Sequence, residues 1–487
     1  MVTINLNTFC IRNKYNLGMT AVFTKITLDN FRSFEHIEFD LSGNGGRPKS
    51  CAIIYGENGS GKTNLVSSFL FLKETLETLG ITNQTEPLKE KIAKDSMEIA
   101  GANEDWAGLQ KILYGMISRK TNLQLMTKQH RMIDSKEGVK VNFSFRVDGH
   151  DGYYAMQFDN QDRLINEKLF YVLNKRSGMI YDIKREITDD SSEKCKTDAK
   201  LSSSMFKDTT YRNKVLKLID QYWGKHTLFS ILNVQSDENN EKFMEESVGA
   251  GTLQALEFFN GYSVIVRGEN PSESGYDNFS YELFESLSHG VAPQEGEKQL
   301  LVFEEALNDF FTRIYPDIKK VYYKKELFEG RIKYELFFKK LIYGKIRDIS
   351  IRLESAGTLK LLRNFPAFYE CARGNTVLLD EIDTGIHDLL MDKVFGELIS
   401  SLKGQLIATS HNTILMEHTP PENVYVIRID SEGYKNIECI KNIDKTQKNH
   451  NNRDRYLEGL FGGVPIVETI DFSGIVSHAQ GLLEVKK

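Results

Sequence analysis

The sequence predicts an α/β fold: a phosphate-loop core, an antiparallel β subdomain and a mainly helical insertion. Three observations carry that expectation. The apolar run Cys51–Tyr55 leads through a Gly-rich loop into Asn64–Leu79, where apolar residues recur at helical spacing. Between Val139 and Arg185 the segments KVNFSFRV, YYAMQF and KLFYVLN alternate with period two, separated by Gly, Asp and Asn. From Gly374 onward strand-like and helix-like stretches alternate again, as in the first lobe.

Taken in order, Met1–Thr20 reads as a loose extension, and Met19 is a possible start. Thr24–Leu41 alternates around Asp29-Asn30 and predicts two strands joined there. Residues 21–80 form the first core piece with the Gly-rich loop. Residues 81–195 form an insertion with a helical patch at Trp106–Ile117, followed by the antiparallel β subdomain; Glu186–Leu201 reads as a charged, Ser-rich break and a mobile loop. Residues 196–317 are the helical insertion, clearest at Tyr211–Trp223 and Gly296–Ile314 and interrupted by the polar Gly268–Asn278. Residues 318–440 return to the core. Lys319–Lys325 and Arg331–Lys340 predict a hairpin closed at Glu329-Gly330. Thr376–Leu379, Gln405–Thr409 and Val424–Ile429 predict strands, and Asp388–Leu402 a helix. Residues 441–487 are a polar, then Gly-rich tail. There is no internal repeat and no sustained heptad, which excludes long coiled-coil arms.

Composition bounds the function classes. The 487 residues are 40 % hydrophobic and 27 % charged, ordinary for a globular chain. No apolar run approaches the roughly 18 residues of a membrane span, and no signal peptide is evident. Cys10, Cys51, Cys195, Cys371 and Cys439 show no zinc spacing, so free thiols in a reducing cytoplasm are expected. A net charge of −6 gives no global sign of nucleic acid, although a local basic surface would suffice for binding.

Gly56–Thr63 (GENGSGKT) fits the phosphate-loop pattern G-x-x-x-x-G-K-[ST]. Glycines let the backbone N–H groups turn inward around phosphates. Lys62 reaches the β- and γ-phosphates and Thr63 offers a hydroxyl to Mg²⁺. The strand Thr376–Leu379 ends in Asp380-Glu381. There an aspartate can join the Mg²⁺ shell and a glutamate can polarise an attacking water. By itself the same pattern fits a solvated acidic turn. His411, just past the strand Gln405–Thr409, falls at the sheet edge where ligands bind, although a lone histidine is more often a cap or packing residue. Ser355 and Gly357 precede a helical run, Leu359–Cys371, and could form an anion site; alone they read as a plain N-cap. The bases and aromatics of Lys319–Arg347 could grip nucleic acid, but on a hairpin they read rather as a solvated lysine face over inward rings.

The order of these parts resembles the ABC-class, AAA-type ATPases of the RecF/SMC/OLD branch. The resemblance rests on Asn30-Phe31-Arg32-Ser33-Phe34, GENGSGKTN, E-S-A-G-T at Glu354–Thr358 and DEIDTGIH at Asp380–His387. It covers residues 22–80 and 345–430 well and 139–185 more loosely. It implies an ABC-type ATPase head binding ATP and Mg²⁺. Gly56, Asn58, Gly59, Ser60, Gly61, Lys62, Thr63 and Asn64 would hold the nucleotide, with Ser355 and Gly357 supplied by another protomer as the signature. Asp380 with Thr63 would hold the metal, Glu381 would be the catalytic base and His411 the switch histidine. Thr384–His387 would be the D-loop, departing from the usual S-A-L-D by placing His387 at the acidic position. Gln124 or Gln129 would serve as the Q-loop residue.

More narrowly, E-S-A-G-T together with Arg453–Pro465 (R-x-R-Y-L-x-G-x-F-G-G-V-P) is similar to ATPases of bacterial anti-phage systems of the AbiL and RloA type. That likeness implies a cytoplasmic homodimer, or higher oligomer, that senses infection and controls a separately encoded nuclease or toxin. Read only from its residues, Arg453–Pro465 is equally a polar helix ended by a Gly/Pro turn. The expected chain has no membrane partner. The competing expectations are a RecF-like repair ATPase that binds DNA directly and a non-hydrolysing nucleotide-controlled scaffold.

Overall fold

The computed structural model describes residues 21–87, 119–173, 176–185, 197–266, 274–276, 286–444, 451–465 and 469–484. The N-terminal extension, the helical patch at Trp106–Ile117, residues 186–196 of the expected break and most of Gly268–Asn278 lie outside the described residues. The rest of that break, Thr197–Leu201, is a strand rather than a loop, because it pairs with Arg176–Arg185.

The phosphate loop sits on a seven-stranded sheet, in the order β10 (Ser274–Tyr276), β9 (Ser263–Val266), β15 (Thr376–Leu379), β16 (Gln405–Thr409), β3 (Cys51–Tyr55), β17 (Val424–Ile429) and β18 (Lys435–Cys439). β9, β15, β16, β3 and β17 run parallel; β10 and β18 close the edges antiparallel. Parallel strands covered on both faces need apolar residues throughout. β3, β15 and β16 are accordingly buried at every position. Period two then divides them: Ala52 and Ile54 enter one core, while Cys51, Ile53 and Tyr55 enter the other. Cys51, Cys371 and Cys439 are buried free thiols.

The first core lies between this sheet, the phosphate-loop helix Lys62–Thr75 and a second, antiparallel sheet. That sheet runs β2 (Phe34–Asp40), β1 (Ala21–Phe31), β4 (Lys140–Val147), β5 (His150–Phe158), β6 (Leu164–Leu173), β7 (Arg176–Arg185) and β8 (Thr197–Leu201). The predicted β1–β2 turn moves from Asp29-Asn30 to Arg32-Ser33, because Asp29 stays paired with His36 and Phe31 faces Phe34. Both phenylalanines are fully buried, which outweighs the turn preference of Asp-Asn.

Side chains seam the sheets, the Tyr425 hydroxyl among them donating to Asp40 O at 2.5 Å. The Gln405 carboxamide oxygen accepts the Phe23 N–H at 2.9 Å, and its NH₂ donates to Phe23 O at 2.9 Å and Lys49 O at 2.8 Å. The Thr376 hydroxyl donates to Ala21 O at 2.7 Å.

The insertion is mainly helical, with Thr209–Tyr222, Leu228–Glu238, Ala250–Gly261 and Glu297–Ile314. It also supplies β9, a strand of the parallel sheet hidden within a helical stretch. The buried Glu167 anchors the insertion: its carboxylate accepts Trp223 Nε1–H at 2.7 Å, the Leu228 N–H at 2.9 Å and the Tyr154 and Tyr181 hydroxyls.

The second core packs helices Ala356–Arg373 and Asp388–Ser401 against the parallel sheet and a small sheet of β11 (His289–Pro293), β13 (Arg331–Ile342), β12 (Ile318–Phe328) and β14 (Lys345–Ser350). The β12–β13 turn is Glu329-Gly330, both at positive φ, as a tight hairpin requires. Among the described residues no helix is long and apolar enough to cross a membrane.

Candidate nucleotide site

The ends of β3, β15 and β16 converge at one sheet edge, where open parallel sheets bind ligands. β3 runs into Gly56. This glycine has φ 151°, and a Cβ on it would meet Ser60 Oγ at 2.7 Å and Ile427 O at 2.9 Å. Gly61, at φ 106°, starts the helix in the left-handed region beside the Phe34 ring. Lys62 is buried and bends back so that Nζ donates to Gly56 O at 2.7 Å and Glu57 O at 3.2 Å. Burial lowers its pKa; Asp380, Glu381, Asp383 and Glu57 nearby oppose that shift. The Ser60 hydroxyl is buried with no hydrogen-bond partner among the described residues. A Gly-rich loop with an orphaned hydroxyl and a buried cation fits a bound phosphate chain.

The acidic side is equally ordered. Asp380 is buried and its carboxylate accepts the Thr409 hydroxyl at 2.7 Å; Thr409 Oγ1 in turn accepts the Glu381 N–H at 2.7 Å. Glu381 adopts φ 51°, a strained conformation for a residue with a side chain, and Thr384 Oγ1 donates to Glu381 Oε2 at 2.7 Å. Thr63 is half-buried at the start of the helix and makes no side-chain hydrogen bond among the described residues. Thr63 and Asp380 are oxygen donors of the kind Mg²⁺ takes together with phosphate oxygens.

His411 is exposed, and its backbone N–H donates to Asp383 at 3.2 Å. Asp383 also accepts the Asn412 N–H at 2.8 Å, so one buried carboxylate sets the loop that carries His411. Asn58 and Gly59 are exposed at the loop tip, where Lys435 Nζ donates to Gly59 O at 2.8 Å. Asn64 donates to Ser33 Oγ at 2.7 Å and accepts from Arg32 at 3.4 Å, tying the helix to the β1–β2 turn.

Lys62, Asp380, Glu381 and the His411 loop are thus brought together. Ser355 and Gly357 are not. Ser355 is exposed and caps its own helix: Oγ accepts the Thr358 N–H at 3.2 Å and lies 2.9 Å from Thr358 Oγ1. Gly357 lies against the predicted D-loop, where a Cβ would meet Gly385 O at 3.0 Å. His387 is exposed and gives helix Asp388–Ser401 no side-chain cap. Gln124 and Gln129 are both exposed, and Gln124 donates to Gln161 O at 2.8 Å rather than toward the phosphate loop.

The reading from sequence missed Asp383, Thr409 and Lys435. The first was signalled by a third carboxylate two residues after Glu381. Thr409 looked like a plain strand residue, and nothing local marks Lys435.

Residues 241–417, a little over a third of the chain, match the family described as "AAA domain, putative AbiEii toxin, Type IV TA system". The matched stretch contains Ser355, Asp380, Glu381 and His411, and the phosphate loop lies upstream of it. No curated protein matches. Among solved structures, an Smc head bound to the C-winged helix domain of ScpA is 15 % identical, with TM-score 0.39, covering 85 % of this chain and 96 % of that one. The SMC head domain from Thermotoga maritima is 13 % identical, with TM-score 0.34, covering 86 % and 98 %. An Smc head with an extended coiled coil, bound to the C-terminal domain of ScpA derived from Pyrococcus furiosus, is 13 % identical, with TM-score 0.37, covering 86 % and 96 %. These likenesses are loose, and the chemistry of the site rests on its own residues. The fold and the site define a class: an α/β head with a phosphate loop on a largely parallel sheet and an antiparallel β subdomain, similar over residues 241–417 to that AAA domain family.

Proposed function

We propose that this protein is an ATPase that closes with a second copy of itself around ATP. It acts as the sensor of a bacterial anti-phage defence system and controls a separately encoded nuclease or toxin. The observation that carries the ATPase reading is the buried Lys62 facing Asp380, Glu381 and Asp383, with Glu381 strained into place.

In this reading Gly56–Asn64 cradles the phosphates, and Lys62 exchanges its two carbonyl partners for phosphate oxygens. Thr63 and Asp380 hold Mg²⁺, which neutralises charge on the β- and γ-phosphates when bound. Glu381 orients and deprotonates the attacking water, and Thr384 fixes its carboxylate. His411 touches the γ-phosphate. Ser355, exposed, and Gly357, half-buried beside Gly385, serve the site of the other protomer, which makes association part of the chemistry.

The defence role draws on the printed name of the matched family and on the E-S-A-G-T and Arg453–Pro465 segments. The protein is placed in the cytoplasm. The test of the ATPase reading is Glu381→Gln: it should bind ATP, turn it over at least roughly a hundredfold more slowly, and accumulate as an ATP-dependent dimer in sedimentation. Wild-type turnover by that variant would remove the base assignment.

Direct DNA binding is the second reading. The lysine hairpin gives it little support, because Lys324 and Lys339 lie over Phe337 and Tyr322, and Lys339 and Lys340 pair with Asp348 and Glu354. A salt-dependent mobility shift with duplex DNA would revive it.

A further inference from the structure

The segment Arg453–Pro465 has no part in the site described above, yet it lies across it. Arg453 Nη1 donates to Glu417 Oε1 at 2.8 Å and Nε to Thr413 Oγ1 at 3.2 Å; Thr413 is two residues past His411. Three residues on, the buried Tyr456 ring stands 5.8 Å from the ring of Tyr55, the residue immediately before the phosphate loop. Tyr55 itself reaches the histidine loop, its hydroxyl donating to Asn412 O at 3.1 Å. The Tyr456 hydroxyl donates to Gly463 O at 2.8 Å and so folds the Gly-rich end back onto the site. Gly463 sits at φ 70°, where a Cβ would lie 3.3 Å from Gly56 Cα, 3.1 Å from Ile427 O and 2.5 Å from Val426 Cγ1. One short segment thus touches both the first glycine of the phosphate loop and the loop that carries His411.

We propose that Arg453–Gly463 is a latch setting the spacing between phosphate loop and histidine loop, with Arg453, Tyr456 and Gly463 as positioning residues. The proposal rests on the ATPase reading. It explains why glycine is needed at 463: the conformation is left-handed, and a methyl group there would run into Val426 Cγ1 at 2.5 Å and crowd Gly56 Cα at 3.3 Å. It also divides the labour. The Arg453 end governs placement of His411, so its loss acts on turnover; the Gly463 end governs the loop that holds phosphate, so its loss acts on binding.

The test uses the full-length protein, with a fluorescent ATP analogue for affinity, phosphate release for kcat and thermal melting for folding. Arg453→Ala should lower kcat roughly tenfold with Kd within about twofold, and Arg453→Lys should recover part of the loss. Gly463→Ala should weaken binding roughly tenfold. Should that variant fail to fold, Tyr456→Phe, which removes one hydroxyl, should still raise Kd roughly threefold. The latch is overturned if Arg453→Ala and Tyr456→Phe both leave kcat and Kd within twofold of wild type. It is also overturned if each variant lowers both parameters in proportion to its loss of melting temperature. A wild-type protein that binds no ATP would remove the ATPase reading and the latch with it.

Discussion

The Asp383 carboxylate accepts the backbone N–H of Asn412 at 2.8 Å, joining the loop after the acidic strand to the loop after the next one. Asp383→Ala would orphan the His411 N–H and leave the Asn412 N–H with Ser410 Oγ, at 3.0 Å, as its remaining acceptor, at a cost of about 1–3 kcal/mol for a buried group left unmet. The variant should melt lower and lose kcat by roughly ten- to a hundredfold while retaining ATP affinity. Asp383→Asn keeps one acceptor and should fall between. Calorimetry and phosphate release on the three proteins check the order; an Asp383→Ala protein with wild-type kcat would show that His411 needs no such support.

Lys62→Ala removes the one buried cation of the phosphate loop. Nucleotide affinity should drop at least roughly tenfold, in keeping with the loss of charge-assisted hydrogen bonds. Protection of cells against phage should vanish with it. Retained protection by a variant that binds no nucleotide would contradict an ATP-dependent defence role.

A site completed by a second copy predicts complementation. Lys62→Ala and Ser355→Arg should each be inactive alone, since every pair then lacks either all phosphate-binding lysines or all signature serines. Mixed, they form pairs holding one intact combination, the Lys62 of one copy with the Ser355 of the other. Mixing the two should restore up to about half of the wild-type activity per mixed dimer. If the mixture stays as inactive as its parts, the shared-site arrangement is wrong.

His130 is sandwiched between Phe31 and Phe71, donates from Nδ1 to Met126 O at 2.9 Å and accepts from Arg32 Nη2 at 3.1 Å. Burial, with the Arg32 charge, pushes its pKa down to about 4. The folded state therefore binds fewer protons than the unfolded one between about pH 6.5 and 4. Its stabilising contribution is complete above pH 6.5 and is lost as pH falls toward 4, by up to about 3 kcal/mol. Denaturant titrations across that range should show a slope that His130→Gln flattens. Because Arg32 also bonds Asn64, nucleotide affinity should weaken over the same acid range.

The core was legible because its signals are local. Cys51–Tyr55, Thr376–Leu379 and Gln405–Thr409 are short apolar strands followed at once by the residues that use them, and each lies where the pattern placed it. What escaped depends on long-range pairing. Ser263–Val266 is too short to signal a strand inside a helical stretch, and only its pairing with Thr376–Leu379 and Ser274–Tyr276 makes it one. Lys435 and Gly463 meet the phosphate loop from about 400 residues away, so no spacing rule reveals them. The β1–β2 turn went to the wrong dipeptide because burial of two phenylalanines outweighed local turn chemistry. Asp383 was in plain view but resembled a surplus charge.

Gln405 gives the molecule its transmission. A carboxamide at the start of one strand bonds Phe23 on both of its backbone groups, as a neighbouring strand would, and reaches Lys49 as well. The parallel sheet and the antiparallel sheet are therefore joined side chain to backbone here, beside the Thr376 and Tyr425 bonds and the apolar core they share. Any displacement of the parallel sheet at Gln405 would bear directly on the Phe23 and Lys49 backbone rather than through apolar packing alone.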